Sequence, residues 1–350
     1  MNIGQHIIGG FEGTQITKEV KRLIQKYEIG GLILFSRNIE SPRQLRELNL
    51  SLQKLSRIPL FLGVDQEGGV VARLRKGFTE IPPMEEVGDY FRRTKDIKTV
   101  EQVGRILGRE VRAVGFNWDF APVVDVHSNP KNPIIGKRSF SSDPLIVARC
   151  AEAVMKGLHA EPVLSCAKHF PGHGATSADS HKSLPILHDA KNIFWERDLV
   201  PYRRLIPRGV IKTLMTAHIR YTNLDPKNCA TLSTKILTGL LRRKLKYNGL
   251  ILSDDLLMKA IADHHTIPDA AYQFFRAGGD MAAICKDPEL QIETIEFIQQ
   301  KLSSDKKLFH NLKQSAKRIQ KLKKTFCRKR DLPDLKIIGS AAHQRIIEKI

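Results

Sequence analysis

The sequence predicts an α/β protein built as a single (β/α)8 TIM-type barrel, and three observations carry that reading. Short apolar, β-branched runs alternate along the chain with longer segments of helical spacing. Eight such runs fit within 350 residues, a length ordinary for one large α/β barrel. Polar, chemically capable residues cluster just after the runs, where the C-terminal mouth of a barrel carries its active site.

The runs span residues 6–9 (HIIG), 31–35 (GLILF), 60–64 (LFLGV), 117–124 (NWDFAPVV), 163–168 (VLSCAK), 212–218 (KTLMTAH), 250–253 (LILS) and 280–285 (DMAAIC). Between them, segments such as 18–27, 41–56, 100–114 and 143–159 repeat apolar residues at i, i+3 and i+4, which predicts helices. Strands alternating with helices imply parallel βα units. The catalytic barrel is expected over residues 1–325. Residues 326–350, with Pro333 and Gly339, are expected to form a basic C-terminal tail or a last helix.

Composition excludes several classes. The chain is 41% hydrophobic and 27% charged, enough apolar material for a large core, so global disorder is ruled out. No apolar run approaches the roughly 18 residues of a membrane span. The start, MNIGQHIIGGFEGT, lacks the basic and apolar regions of a secretory signal. The five cysteines, Cys150, Cys166, Cys229, Cys285 and Cys327, are odd in number and never spaced as CxxC. That pattern fits reduced thiols in a cytoplasmic protein and argues against a disulfide framework or a cysteine zinc site.

The net charge is +20, and residues 301–350 hold fifteen Lys or Arg against four acidic residues, over half of that excess. The densest part is 313–330. Phosphate binding is driven by such patches, but no recognition motif accompanies this one. It reads as a solvated helix face. Neither nucleic acid nor a membrane is expected as a partner, and the chain is expected to be a monomer.

The strongest local signal is residues 172–181, GHGATSADSH, whose Gly and Ser mark a loop. Asp179 and His181 are two apart, so in an extended segment their side chains point the same way. A carboxylate bonded to an imidazole fixes its tautomer and raises the basicity of the far nitrogen, which suits general acid/base work near neutral pH. His169 and His173 are four apart, but Pro171 and Gly172 between them disfavour the helix that a metal pair at that spacing would need. No metal or cofactor is expected. Asp254 follows the run LILS and is a candidate nucleophile or base. Consecutive strand residues point to opposite faces, so one of Asp254 and Asp255 should face the pocket while the other caps a helix. Arg73, Arg138 and Lys168 could grip a polar ligand.

Taken together, DQEGG with Arg73 downstream, GFTEIPPM, GKRSFSSDP, KHFPGHG…DSH, SDDLLMKA and AGGDM resemble the family-3 glycoside hydrolases. Within that family they resemble the bacterial β-N-acetylglucosaminidases (β-hexosaminidases) of peptidoglycan recycling. The likeness runs in order from about residue 4 to residue 285. It implies a (β/α)8-type barrel and hydrolysis with retention of configuration. By motif, it implies Asp254 as nucleophile, His181 as general acid/base and Asp179 as the residue that orients and polarises it. Asp65, Arg73, Arg138, Lys168 and His169 match positions that hold sugar hydroxyls. Val70 stands where many relatives have Arg, and Ala175 where many have Asp; neither is a carried-over site residue.

Many β-glucosidases of the family have a second α/β domain that supplies the acid/base. This chain ends too soon after its barrel for that domain, so the loop bearing Asp179 and His181 is the available source. Retaining hydrolysis needs a carboxylate to attack the anomeric carbon and a second group that first protonates the leaving oxygen and then activates water. The expectation is a cytoplasmic, metal-independent exo-β-N-acetylglucosaminidase that removes terminal β-GlcNAc from GlcNAc–1,6-anhydro-muramic acid muropeptides. The alternatives are a family member that uses phosphate as acceptor, a β-glucosidase, a metal-dependent barrel amidohydrolase, and a basic binding protein without catalysis.

Overall fold

A computed structural model describes every residue except 181, so the His181 assignment lies outside the described residues. All eight sequence runs contain strands: β1 (Ile7–Gly9), β2 (Gly31–Ile33), β3 (Phe61–Val64), β4 (Trp118–Asp119), β5 (Leu164–Phe170), β6 (Thr213–Thr216), β7 (Leu250–Asp255) and β8 (Met281–Ile284). They form a closed barrel in which each strand pairs with its sequence neighbours and β1 closes on β8 through Ile7↔Ala282 and Ile8↔Ala283. The pairing is parallel. Parallel strands are covered on both faces, which is why these runs are apolar without alternation.

The four segments of helical spacing fold as Lys18–Gln25, Pro42–Leu55, Ile97–Ala113 and Pro144–Ala160. Each start is set by a side chain that accepts a free backbone N–H of the first turn: Thr17, Ser41, Asp96 and Asp143. Pro42 and Pro144 occupy first-turn positions, where proline's missing N–H costs nothing. Inside the barrel, Ile8, Phe61, Trp118, Phe120, Leu164 and Leu252 pack together. A larger core lies between strands and helices, through residues such as Leu62, Val64, Val103 and Val154.

Helix Lys306–Phe326 closes the N-terminal end of this cylinder. Its Ile319, Leu322 and Phe326 join the inner core. Ser315 Oγ meets His6 Nδ1 at 3.0 Å, Arg318 donates to Asp280 at 2.8 Å and Lys323 donates to Gln5 at 2.8 Å, just before β1 and β8. Beyond it, helix Ala341–Ile347 docks on Ile97–Ala113, with His343 Nδ1 2.7 Å from Glu110 Oε1. No helix among the described residues is long and apolar enough to cross a membrane.

Two irregularities shape the opposite, C-terminal mouth. The β5–β6 register shifts between Ala167 and Phe170, and the β7–β8 register shifts between Leu252 and Asp255. A bulge breaks strict alternation and re-aims side chains. Lys168 and His169 therefore both line the mouth, and so do Asp254 and Asp255. This corrects the expectation that only one of the two aspartates faces the pocket.

Candidate active site

The mouth encloses a cavity of about 200 Å³. Ile8, Ile33, Phe120, Met215 and Leu252 close it below, and its polar wall holds every sugar-binding residue expected from the sequence: Asp65, Arg73, Arg138, Lys168 and His169, together with Asp254.

Asp65 and Glu67 follow β3 and take the cations between them. Lys168 Nζ lies 2.7 Å from Asp65 Oδ1 and 2.6 Å from Glu67 Oε1. Arg138 makes a two-pronged pair with Glu67, Nε to Oε2 and Nη2 to Oε1, both at 2.8 Å. Arg73 is looser, 3.6 Å from Asp65 Oδ2. Burial alone would raise the pKa of Glu67, but Arg138 and Lys168 outweigh it and hold the carboxylate well below the usual range. Burial likewise opposes the charges on Lys168 and Arg138, and the facing carboxylates more than restore them. Under this layer Asp119, bonded by the Gln66 N–H at 3.0 Å, is pushed well up by burial.

Asp125 organises the wall behind β5. Its Oδ2 lies 2.7 Å from His169 Nδ1, and its Oδ1 accepts the His173 backbone N–H at 2.6 Å. Burial works to raise its pKa, but His169 and His173 outweigh it and keep the carboxylate low. His173 Nδ1 meets Thr176 Oγ1 at 2.9 Å, and burial takes this ring's pKa down to about 4. His169 and His173 thus serve the end of a strand and the turn after it, not a helical pair.

Asp254 is half-buried at the bulge of β7. Burial again opposes its charge, but His218 and then His169 lower its pKa, so it is ionised at neutral pH. Its Oδ1 accepts the Asp255 N–H at 2.8 Å. Asp255 accepts the N–H groups of Leu257 and Cys285, both at 3.1 Å, and burial pushes its pKa up to about 6. His218 is fixed by Thr231 Oγ1 at 2.8 Å and by the Asp255 carbonyl at 3.0 Å.

The loop after β5 is fastened at several points. Asn132 Nδ2 donates to the His173 carbonyl at 2.8 Å and to Thr176 Oγ1 at 3.1 Å. Gly174 runs so close to Val126 that a Cβ there would sit 1.6 Å from its carbonyl oxygen, so only glycine fits. Ser180 is buried and borders the cavity. Asp179, beside it, is half-buried and outside the cavity lining.

Sequence reasoning missed Glu67, Asp125, His173 and His218 as site residues. The signal was present: Asp125 directly follows the run 117–124, His218 ends the run 212–218, and Glu67 lies within DQEGG.

Comparison with known proteins agrees with this geometry. The model of the glycosyl hydrolase family 3 N-terminal domain matches residues 3–322. A β-hexosaminidase of Nitrosomonas eutropha is 40% identical over 296 residues, covering 83% of this chain and 84% of that protein. One from Pseudomonas aeruginosa is 41% identical over 280 residues, covering 79% and 80%. The crystal structure of NagZ from Neisseria gonorrhoeae with N-trifluoroacetyl-D-glucosamine is similar, with a TM-score of 0.80 at 30% identity, covering 98% of this chain and 97% of that one. A family 3 β-N-acetylglucosaminidase from Paenibacillus reaches a TM-score of 0.92 at 31% identity, over 99% of this chain and 67% of that chain. With a family domain matched over residues 3–322 and relatives about 40% identical along some four-fifths of its length, the chain belongs to glycosyl hydrolase family 3.

Proposed function

We propose that this protein is a retaining exo-β-N-acetylglucosaminidase that removes non-reducing terminal β-1,4-linked GlcNAc from GlcNAc–1,6-anhydro-muramic acid and its peptides, in cytoplasmic cell-wall recycling. The enzyme class is that of its relatives: it is a glycoside hydrolase, a β-N-acetylhexosaminidase. The observation that carries the rest is the placing of Asp254, a carboxylate that lines a small cavity closed below by apolar side chains. Such a blind cavity takes the end of a sugar chain and excludes its middle.

In this reading Asp254 attacks the anomeric carbon and the leaving oxygen departs with a proton from His181, which Asp179 orients. The same imidazole then takes a proton from water as the glycosyl-enzyme is hydrolysed. Asp65, Lys168, Arg138, Arg73 and His169 hold the hydroxyls. Asp125 holds His169 through Nδ1, which leaves Nε2 for the sugar. Because Glu67 anchors Lys168 and Arg138 before substrate arrives, little ordering remains to be done on binding.

The test compares aryl β-GlcNAc with aryl β-glucoside, then labels the enzyme with a slow 2-deoxy-2-fluoro glycoside. Preference for GlcNAc and an adduct on Asp254 are expected. An adduct on Asp255 or Asp65 would reassign the nucleophile. Accumulation of a sugar 1-phosphate on adding phosphate would convert the hydrolase into a phosphorylase.

A further inference from the structure

The end of the barrel opposite the sugar cavity carries a second, chemically distinct surface. Helix Lys306–Phe326 buries Leu308, Leu312 and Ile319 and exposes Lys313, Lys317, Lys321 and Lys324; Arg328 follows, also exposed. No Asp or Glu occurs between Lys306 and Arg330. Among the described residues, none of these five cations has a carboxylate within ion-pair reach, whereas the inward-leaning Arg318 is paired with Asp280. The helix therefore presents a row of positive charge that the protein itself does not neutralise.

Two clefts flank this row. One, of about 560 Å³, is lined by Met1, Ile58, Pro59 and Ile319, with Lys317 and Lys324 at its edge. The other, of about 440 Å³, lies between the helix and the turns before β6 and β7. Ile206, Ile211 and Leu322 line it, and Lys246 and Lys321 edge it. Apolar clefts bordered by unpaired cations match the chemistry of an acyl chain ending in an anionic headgroup. We propose that this face docks on a bilayer surface containing anionic phospholipid, with the sugar cavity turned toward water at the far end of the barrel.

Nucleic acid shares the phosphate but not the rest. A single strand is held largely by stacking on aromatic rings, and the exposed rings of this helix, Phe309 and His310, both lie near its start. A duplex would meet the lysines and leave both apolar clefts unfilled. The helix's own apolar face is already committed to the barrel floor, so the docking is peripheral and governed by charge.

The experiment uses the full chain with vesicles of phosphatidylcholine alone and of phosphatidylcholine mixed with phosphatidylglycerol. Binding is expected only to the mixed vesicles, and it should weaken as salt rises. Each cation near an anionic surface strengthens binding roughly fivefold. The variant K317E/K321E/K324E/R328E should thus lose at least roughly a hundredfold in partitioning, with aryl β-GlcNAc hydrolysis unchanged as proof of folding. The milder pair K317Q/K321Q should lose roughly twentyfold. Absence of binding to mixed vesicles, binding that ignores salt, or full binding by the charge variants overturns the proposal. Tighter binding to a mixed-sequence nucleic acid than to these vesicles would also overturn it and give the face to nucleic acid.

Discussion

His173 Nε2 lies 3.3 Å from Ser180 Oγ, and this contact ties the wall of the sugar cavity to the loop position just before residue 181. The Ser180 carbonyl in turn accepts the Ala260 N–H at 3.3 Å, beyond the strand that carries Asp254. Ser180 thus links the cavity wall to the turn that follows the strand carrying the proposed nucleophile. A neutral hydrogen bond contributes about 0.5–1.5 kcal/mol. Ser180→Ala should therefore lower kcat/KM on an aryl β-GlcNAc with a poor leaving group by roughly two- to tenfold, and less on a dinitrophenyl glycoside. Unchanged kcat/KM on both would show that the loop is set without this contact.

Arg138→Ala should damage stability as well as catalysis. It leaves Glu67, almost wholly buried, with Lys168 as its remaining cation. Removing one partner of a buried pair typically costs about 3–5 kcal/mol, read as a lower denaturation midpoint. Glu67's folded pKa lies below its unfolded value, so its contribution is present at neutral pH and is lost as pH falls through the ordinary glutamate range and below. Glu67→Gln should flatten that acid limb. An unaltered acid limb in the variant would show that other carboxylates govern it.

Asp198 has the opposite sign. Three contacts of 2.9–3.2 Å join it to Arg197, and it sits so close to Gly172 that a Cβ there would lie 2.8 Å from its own. Burial prevails over Arg197 and pushes its pKa up from 3.8 to about 6. The folded state then holds the proton more tightly than the unfolded chain. Stability from this site is greatest below about pH 4 and falls as pH rises toward 6. Against Asp198→Asn, the wild type should lose about 2–3 kcal/mol between those limits, measured by chemical denaturation at each pH. A constant difference would show that Arg197 keeps the carboxylate charged throughout.

If His181 protonates the leaving oxygen, His181→Ala should hurt in proportion to how poor the leaving group is. Muropeptide cleavage should nearly vanish, while a dinitrophenyl glycoside should give a burst and then slow turnover. Azide, which needs no base, should rescue the slow step as a β-glycosyl azide. Asp179→Ala should give a milder form of the same pattern. Equal losses on good and poor leaving groups, without rescue, would place the acid/base elsewhere.

The barrel was readable because strands buried on both faces leave unbroken apolar runs, and because a strand's polar end marks its mouth. Asp254, Lys168 and His169 stand at the mouth, where that rule puts them. What stayed hidden was pairing. Nothing in the order of residues says that Arg138 and Lys168 converge on Glu67, or that Asp125 gathers His169 and His173, because these partners meet only when the barrel closes. The pointing of Asp255 was hidden for another reason: a bulge defeats the alternation on which such a reading rests.

The closure of β1 on β8 orders events during synthesis. Ile7 and Ile8 are made before the other seven strands, yet their partners Ala282 and Ala283 leave the ribosome after seven strands have been made. Through that interval β1 is an open edge, and an open edge invites the wrong neighbour. Its three residues offer little ladder to capture. Helix Lys306–Phe326 emerges later still, so the ring receives its stopper last, and a nascent chain halted between β8 and this helix would show a floor of Phe61, Trp118 and Leu164 to whatever chaperone stands nearby.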